Sequence, residues 1–269
     1  RSYQNFRKKL PHSQKTAISY TLRKWGQVAA ALLIPLLSIW IAYLYMQPDE
    51  KPVELVEYFV PKGEQRQITL PDGSIAHLNS GTLLIYPQKF ANDMRSVYLM
   101  GEANFDVKKD SQHPFIVKTK DMDVLVTGTE FNVKAYPDEL NVQTTLLRGK
   151  VAVFAGIDKK EKIEIEPNQQ AEWSRENVKL QVREVDPDLF VAWKNGQFLF
   201  RQDRLEDIMK TLARWYDMEV FYLDESIKNM AFAGKLDRSE DITPILNVLR
   251  ATDKLTVEVN GKRIVLGVK

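Results

Sequence analysis

Few residues of this chain could do chemistry, and they lie far apart in the sequence. The 269 residues include no cysteine and only three histidines, His12, His77 and His113. Without cysteine the chain has no disulfide framework, no thiolate nucleophile and no cysteine zinc site. His77 falls in a strand-like alternation typical of a surface position, and His113 precedes a proline in a loop. The sequence therefore predicts no metal site and no catalytic histidine.

The acidic residues and serines also fail to form a catalytic set. Asp121 and Asp123 lie two residues apart, and we interpret them as solvated loop charges rather than as an acid–base pair. Ser80 falls in a turn that lacks the strand-to-helix elbow of hydrolase nucleophiles. The chain contains no glycine-rich phosphate loop. The sequence thus predicts neither an enzyme nor a cofactor, so the function has to follow from the structural elements and their order.

A basic N-terminal segment precedes a long apolar run. Residues 1–25 contain seven lysines and arginines and no acidic residue, whereas the remainder carries 31 basic and 36 acidic residues. Residues 28–46 form an uncharged run of 19 residues, about the length that crosses a bilayer core. Trp25 lies at one end and Trp40 toward the other, as interfacial aromatic residues do. We predict a transmembrane helix over residues 27–46 rather than a buried helix or a cleaved signal peptide.

The charge distribution also predicts the orientation of the chain in the membrane. The positive-inside rule places the basic segment, residues 1–26, in the cytoplasm and the region beyond the span on the other side. We therefore interpret the basic residues as a topology signal and expect no direct contact with nucleic acid. Because the chain begins with Arg1 rather than methionine, we expect the natural N-terminus to lie further upstream. Residues 47–55 are polar and proline-containing at their start and are predicted as a linker.

Residues 56–185 show the pattern of an all-β domain. Apolar and polar residues alternate with a period of two, as where Ile163 and Ile165 alternate with glutamates. Turn signals interrupt at short intervals, including Pro-Asp-Gly at 71–73 and Asn-Ser-Gly at 79–81. Many short strands with regular turns predict a β-sandwich or β-roll.

Residues 197–269 show a different pattern, that of a small α+β domain, and residues 186–196 are predicted as a hinge before it. A strand–helix–strand unit occurs twice, and the predicted strands are 198–202, 219–223, 230–236, 255–259 and 263–268. Asp203 and Glu206 are spaced as a capping box for the first helix. Asn260-Gly261 predicts a type I′ hairpin turn.

The β-rich region resembles the FecR family of bacterial anti-sigma factors. The matching segments occur in the family's order and are VPKGEQ (60–65), LPDGS (70–74), LNSGT (78–82), YP (86–87), GEANFDV (101–107), PFIVKT (114–119), VTGTEFNVKAY (126–136) and LRGKVAV (147–153). The segments AWKNGQFLF (192–200) and LEDIMKTLARWYD (205–217) resemble the C-terminal domain of family members from Bacteroidota. That domain is similar to the short N-terminal domain shared by secretins and TonB-dependent receptors. Asn104 departs from the family, where an aromatic residue is common.

The resemblance implies a single-pass inner-membrane anti-sigma factor that acts by protein–protein binding. Its periplasmic part is expected to bind the signalling domain of a TonB-dependent outer-membrane transporter of the SusC/FecA-like type. Its cytoplasmic segment is expected to bind a sigma factor of the extracytoplasmic-function type. The alternative is a membrane-anchored periplasmic protein that binds glycan or has a structural role in the envelope. The sequence leaves open the inducing nutrient, iron chelate or glycan, and whether the protein also activates its sigma factor.

The resemblance also marks one bond for attention, between Gly128 and Thr129 in VTGTEF (126–131). Some family members break their own chain at a Gly-Thr bond in this motif by an N-to-O acyl shift. Here the Thr129 hydroxyl would attack the Gly128 carbonyl, and water would cleave the resulting ester. The alternative is a glycine that a bulge or a close backbone approach requires.

The predicted α+β domain offers candidate partner-binding strands. β-Augmentation needs an unpaired strand edge with alternate side chains that fill pockets on the partner. The strands 219–223, 255–259 and 263–268 are the candidate edges. The candidate partner-binding residues are Val220, Phe221, Tyr222, Leu255, Val257, Ile264 and Leu266.

Overall fold

The computed structural model describes residues 18–46, 53–91, 93–156, 158–238 and 241–269. Most of the predicted basic segment and of the predicted linker lies outside these residues. The chain divides into two compact units, Arg1–Pro52 and Val53–Lys269.

The first unit contains helix α1, Ile18–Met46. Within it, Trp25–Tyr43 has a mean hydropathy of 1.8 and is the one candidate membrane span among the described residues. Pro35 lies inside the helix, and the Ser38 hydroxyl donates to the Ile34 carbonyl at 2.8 Å, on the turn that contains this proline. Hydroxyl contacts of this kind are common where proline interrupts a lipid-buried helix. The predicted span is therefore confirmed as a long apolar helix.

The first thirteen strands that the structure describes in the second unit form one domain. Their bounds are β1 Leu55–Phe59, β2 Arg66–Thr69, β3 Ile75–Leu78, β4 Leu83–Pro87, β5 Arg95–Asp106, β6 Phe115–Lys118, β7 Met122–Val126, β8 Glu130–Ala135, β9 Asn141–Arg148, β10 Val151–Ala155, β11 Glu161–Ile165, β12 Gln169–Ser174 and β13 Lys179–Glu184. They form two layers. The first layer has the order β1-β4-β5-β6-β7-β10-β11, and the second has the order β2-β3-β5-β8-β9-β12-β13.

The long strand β5 belongs to both layers and turns the corner at Gly101. This residue has φ +128°, and a Cβ there would lie 2.5 Å from the Thr82 Oγ1 atom. The same Thr82 hydroxyl accepts from the Glu102 backbone N–H at 3.0 Å. Only glycine adopts this backbone and admits so close a neighbour. Gly101 thus lets one strand pass between the two sheets of a sandwich.

One hydrophobic core fills the space between the layers. At its centre Phe105 stacks on Phe131 with ring centroids 5.5 Å apart, and Phe115 of the first layer lies 5.9 Å from Phe105. All three rings are fully buried. Inward and outward side chains alternate along each strand, as the period of two predicts. The predicted all-β sandwich is confirmed.

The remainder of the second unit is an α+β domain with its own core. A connector of two short helices, α2 Asp188–Val191 and a 3₁₀ turn Ala192–Asn195, leads into it. The domain contains β14 Gln197–Arg204, α3 Leu205–Tyr216, β15 Glu219–Tyr222, a 3₁₀ turn Glu225–Asn229, β16 Ala231–Asp237, α4 Thr243–Ala251, β17 Leu255–Asn260 and β18 Arg263–Val268. The apolar faces of α3 and α4 pack in this core. The repeated strand–helix–strand order matches the prediction.

The pairing inside the α+β domain differs from a simple repeat. Strands β14 and β16 form one antiparallel pair, and the other sheet has the order β15-β18-β17, with β15 parallel to β18. Each strand–helix–strand unit therefore contributes one strand to each sheet. The helices sit over a shared core because neither unit can bury its own apolar face alone.

Two local predictions in this domain are wrong. Asp203 does not cap α3, because β14 continues to Arg204, and the Asp203 carboxylate instead accepts from the Arg201 backbone N–H at 2.8 Å. In the last hairpin Asn260 still pairs with Arg263, so the two-residue turn is Gly261-Lys262. Only Gly261 has positive φ, whereas a type I′ turn requires it at both central residues.

Candidate functional site

The outer face of the second layer is polar and nevertheless buried. Its outward side chains on β5 and β8 include Glu102, Asn104 and Asn132, each no more than 7% exposed. The connector and the α+β domain contact this face. Buried polar groups need protein partners in place of water. This face is therefore where the β-sandwich meets the connector and the α+β domain.

Glu102 lies at the bottom of this interface. Its two carboxylate oxygens accept from the side-chain amides of Asn79 and Asn132 at 2.9 and 3.0 Å. Burial raises the pKa of Glu102, and these hydrogen bonds and the charge of Lys134 only partly oppose the rise. The carboxylate is therefore held in place by neutral amides rather than by a direct ion pair.

A group of four charged and aromatic side chains, which we call the junction, surrounds it: Lys134, Tyr136, Glu139 and Arg214. Glu139 accepts from Lys134 Nζ at 2.8 Å and also pairs with the guanidinium of Arg214. Burial opposes ionisation of Glu139, but the charges of Lys134 and Arg214 outweigh it and lower its pKa. Burial likewise opposes the charge of Lys134, and Glu139 and Glu102 reverse the effect and raise its pKa.

Arg214 comes from the last turn of α3 and inserts into the β-sandwich. Its guanidinium carbon lies 3.8 Å from the ring centroid of Tyr136, whose hydroxyl donates to the Ser80 carbonyl at 2.8 Å. The same guanidinium pairs with Asp138 at 3.0 Å. The Arg214 carbonyl accepts from the Gly63 backbone N–H at 3.1 Å. The C-terminal end of α3 is thus fixed to the sandwich through both side chain and backbone.

The connector adds a second set of contacts to the sandwich. The Trp193 carbonyl accepts from Gln65 Nε2 at 2.8 Å. Lys194 Nζ donates to Asn104 Oδ1 at 2.8 Å and lies 3.6 Å from Glu130. The predicted hinge is therefore a helical segment with two side-chain attachments, and its bending stays a prediction. Asn104, the departure from the family pattern, provides one of these attachments.

A cleft of about 560 Å³ opens beside the junction, between the sandwich and the α+β domain. Phe200, Asp203 and Asp207 line the α+β side, and Glu172 and Arg183 line the sandwich side. Burial raises the pKa of Asp203 and of Asp207. No group of metal-ligating side chains occurs among the residues that the structure describes. The arrangement provides buried charge and shape for binding and brings no nucleophile and base together.

The Gly128-Thr129 pair lies at a close approach between two segments. Gly128 has φ +150°, and a Cβ there would lie 2.7 Å from the Lys109 Cα atom. The Thr129 hydroxyl donates to the Lys150 carbonyl at 2.9 Å and is 2% exposed. The β8–β9 register also shifts between Glu130 and Phe131. These features favour the alternative of a glycine required by packing and a bulge, and cleavage at this bond stays untested.

The candidate partner-binding residues do not share one surface. Strand β18 is central in its sheet, which corrects the prediction that it is an edge, and Ile264 and Leu266 are fully buried. Leu255 and Val257 of the edge strand β17 also face the core. The two outer strands, β15 and β17, each have one edge that pairs with no strand among the residues that the structure describes. Their role in partner binding stays a prediction.

Strand β15 is the other edge, and its three candidate residues divide between core and solvent. Val220 and Tyr222 pack against the core, whereas Phe221 is 47% exposed. Arg263 lies 5.8 Å above the Phe221 ring. Beyond the strand, Leu223 is 76% exposed. Phe221 and Leu223 therefore form the apolar surface next to this free edge.

The aspartates and histidines that were considered for catalysis in the sequence make other contacts. Asp121 and Asp123 are not solvated loop charges, since they pair with Arg175 and Lys159 at 2.9 and 2.6 Å. His113 pairs with Asp110 at 2.8 Å, and this contact lowers the Asp110 pKa. His77 faces outward from β3; burial and the nearby charge of Lys194 lower its pKa.

Sequence reasoning missed the junction. Arg214 lies 75 positions after Glu139, and neither has a distinctive motif around it. Arg214 lies in the last turn of α3, where basic residues are common because they complement the helix dipole, so its position gives no signal of this contact.

The chain thus has a candidate membrane span followed in the sequence by a β-sandwich and an α+β domain, and these two domains are joined through a buried ionic junction. The FecR protein family model matches residues 57–152, and the FecR C-terminal model matches residues 197–266. A search of curated proteins finds no significant match.

Two crystal structures of a protein assigned as an anti-sigma factor from Parabacteroides distasonis ATCC 8503 have a similar fold. They are 31% and 32% identical to this chain, and both have a TM-score of 0.75. The match covers 80% of this chain and 99% and 100% of the two solved chains. The chain belongs to the FecR family of anti-sigma factors. Its N-terminal helix is compatible with a single-pass inner-membrane protein.

Proposed function

We propose that this anti-sigma factor relays the state of an outer-membrane transporter to a sigma factor across the inner membrane. Its basic N-terminal segment lies in the cytoplasm and binds a sigma factor of the extracytoplasmic-function type. Its residues 53–269 lie in the periplasm and bind the signalling domain of a TonB-dependent transporter. The excess of basic residues before α1 supports this orientation.

The single observation that carries the proposal is the buried contact of Arg214 with Glu139 and Tyr136. A relay requires that a binding event on the α+β domain changes the state of the domain next to the membrane span. Arg214 and Glu139 have side chains only 11% and 9% exposed, so separating the two regions would break a buried ion pair and leave Glu139 with Lys134 alone. The α+β domain is therefore energetically coupled to the sandwich that follows the span.

The free edge of β15 provides the partner surface in this proposal. Its backbone groups are available for an added strand, and Phe221 and Leu223 lie beside them, exposed. Strand addition gives affinity through main-chain hydrogen bonds and specificity through such side chains. A small periplasmic signalling domain with its own edge strand could supply the strand that pairs with β15.

A pull-down tests this function. Fragment 53–269 is used to capture proteins from detergent-solubilised envelope of the source bacterium, and the eluate is identified by mass spectrometry. We expect a TonB-dependent transporter, and we expect Phe221→Asp with Leu223→Asp to abolish its capture. The matched control is Val248→Asp, on an equally exposed apolar position of α4.

Other results would contradict the proposal. Recovery of only glycan or structural envelope proteins would support a structural envelope role instead. Unchanged expression of the transporter's genes when this gene is deleted would exclude the regulatory relay even if the transporter were captured.

A further inference from the structure

Among the residues that the structure describes, the outward side chains of β1, β4 and the first half of β5 are mostly apolar and at least partly exposed, in contrast to the buried polar face of the second layer. Leu55 and Phe59 of β1 are 57% and 61% exposed, and Tyr98 and Met100 of β5 are 49% and 52% exposed. Between them lie the outward apolar side chains of β4, Leu83, Ile85 and Pro87, which are partly exposed. We call this set the apolar face.

Strand register shows that these side chains are contiguous. Phe59 pairs with Leu83, and Leu83 pairs with Met100, so the three form one row across β1, β4 and β5. The apolar face extends over the adjacent strands β1, β4 and β5, whose outer two lie about 10 Å apart at 4.8 Å per strand. Antiparallel sheets usually present a polar face to water, and contiguous exposed apolar side chains mark interaction sites.

The next row across the same strands carries two charges. It runs from Glu57 through Ile85 and Tyr98 to Lys118. Neither Glu57 nor Lys118 has a salt-bridge partner among the residues that the structure describes. Lys118 Nζ lies 5.4 Å from the Tyr98 ring centroid, and its cross-strand neighbour Asp123 is paired with Lys159 instead. One acid and one base thus flank the centre of the row, three strands apart.

We propose that the apolar face is the interface with a second copy of this chain. The two sheets pack face to face about a two-fold axis that runs parallel to the strands, between β4 and β5. This operation brings β1 of one copy opposite β6 of the other, so each Glu57 meets the other copy's Lys118. A closed two-fold interface has to be complementary to itself in this way.

The charges favour a second copy over a lipid surface. Insertion of the apolar face into the hydrocarbon of a membrane would remove water from Glu57 and provide no counter-charge, which is costly. Self-packing buries the same apolar side chains and supplies a cation to each of the two carboxylates.

Sedimentation of fragment 53–269 over a concentration series tests the proposal. The fragment contains both hydrophobic cores. The solved relatives, 99% and 100% of whose length matches 80% of this chain, fold without a further segment. We expect a monomer–dimer equilibrium. Glu57→Lys and Lys118→Glu each place like charges together, so each should raise the dimer dissociation constant about tenfold or more.

The decisive variant carries both substitutions. Combining Glu57→Lys with Lys118→Glu restores opposite charges across the interface and should return the dissociation constant to within about threefold of the original. Arg148→Glu is the control, since Arg148 is equally exposed but belongs to the second layer. It should leave the dimer unchanged. Circular dichroism of each variant shows whether the fold is kept.

Three outcomes would overturn the proposal. The fragment and the full chain in lipid nanodiscs could both be monomeric. A dimer could form but respond to the two single substitutions without rescue by the double one. Finally, a monomeric fragment could bind vesicles of phosphatidylethanolamine and phosphatidylglycerol and lose that binding with Phe59→Ser, which would assign the face to the membrane.

Discussion

The guanidinium of Arg214 stacks on the ring of Tyr136 with 3.8 Å between the guanidinium carbon and the ring centroid. The two residues lie on either side of the boundary between the sandwich and the α+β domain. Tyr136 is in turn fixed by its hydroxyl, which donates to the Ser80 carbonyl. One arginine therefore joins two cores that would otherwise contact each other mainly through polar surface.

Replacing this arginine should uncouple the two regions. We expect Arg214→Ala to lower the free energy of unfolding by about 3–5 kcal/mol, because it leaves Glu139 buried with only Lys134 as a cation. Urea unfolding monitored by fluorescence should then show two transitions. Arg148→Ala, which removes an exposed ion pair, should change stability by no more than about 0.5 kcal/mol. Equal effects of the two variants would refute the coupling.

The carboxylate of Glu139 should stabilise the fold in a pH-dependent way. Its pKa in the folded protein is below the ordinary value of 4.5, so the folded state binds fewer protons than the unfolded state. The stabilisation is fully present above about pH 4.5 and is lost as pH falls through the lowered pKa. We expect Glu139→Gln to be destabilised relative to the native chain at pH 7, and the gap to close in acid. Denaturant unfolding at several pH values measures it, and a gap independent of pH would contradict the assignment.

Glu102 should show the opposite dependence. Burial raises its pKa above 4.5, so the folded state binds more protons and its stability falls as pH rises from 4.5 through the raised value. Glu102→Gln removes this titration. The stability of Glu102→Gln relative to the native chain should therefore increase with pH across that window, whereas that of Glu139→Gln decreases. If the relative stabilities of the two variants changed with pH in the same direction, the opposite pKa shifts of Glu102 and Glu139 would be refuted.

Gly128 should be intolerant of any side chain. Gly128→Ala places a Cβ 2.7 Å from the Lys109 backbone at positive φ, and we expect a loss of more than about 1 kcal/mol in the free energy of unfolding. Gly234→Ala is the matched control, since a Cβ there meets no atom within 4 Å and its φ is not positive. That substitution should stabilise the protein by about 0.4–1 kcal/mol. A neutral Gly128→Ala would remove the packing explanation for this glycine.

The Gly128-Thr129 bond should remain intact in the purified protein. The Thr129 hydroxyl is held by the Lys150 carbonyl, which cannot accept its proton as a base would. We expect fragment 53–269 to keep its intact mass after several days at 25 °C. Appearance of two pieces cut at this bond, and their absence in Thr129→Ala, would instead establish an N-to-O acyl shift.

Local patterns in the sequence were sufficient to predict the helices and strands. The period of two and the turn signals predicted the sandwich, and the apolar faces of α3 and α4 predicted their helices, because these depend on residues a few positions apart. Two of the wrong predictions, the Asp203 cap and the type I′ turn, depend on where a strand ends. Strand ends are decided by pairing with distant residues, such as β14 with β16.

The sequence by itself determined the apolar span, the class of each domain and the family, since each is written in contiguous segments. Only the tertiary structure decided that β18 is central, that Arg214 meets Glu139 and Tyr136, and that Glu57 and Lys118 flank one apolar row. Arg214 lies 75 positions after Glu139 and 78 after Tyr136, and Lys118 lies 61 positions after Glu57. Their energies come from burial and from charges brought together by folding, which no local pattern of the chain records.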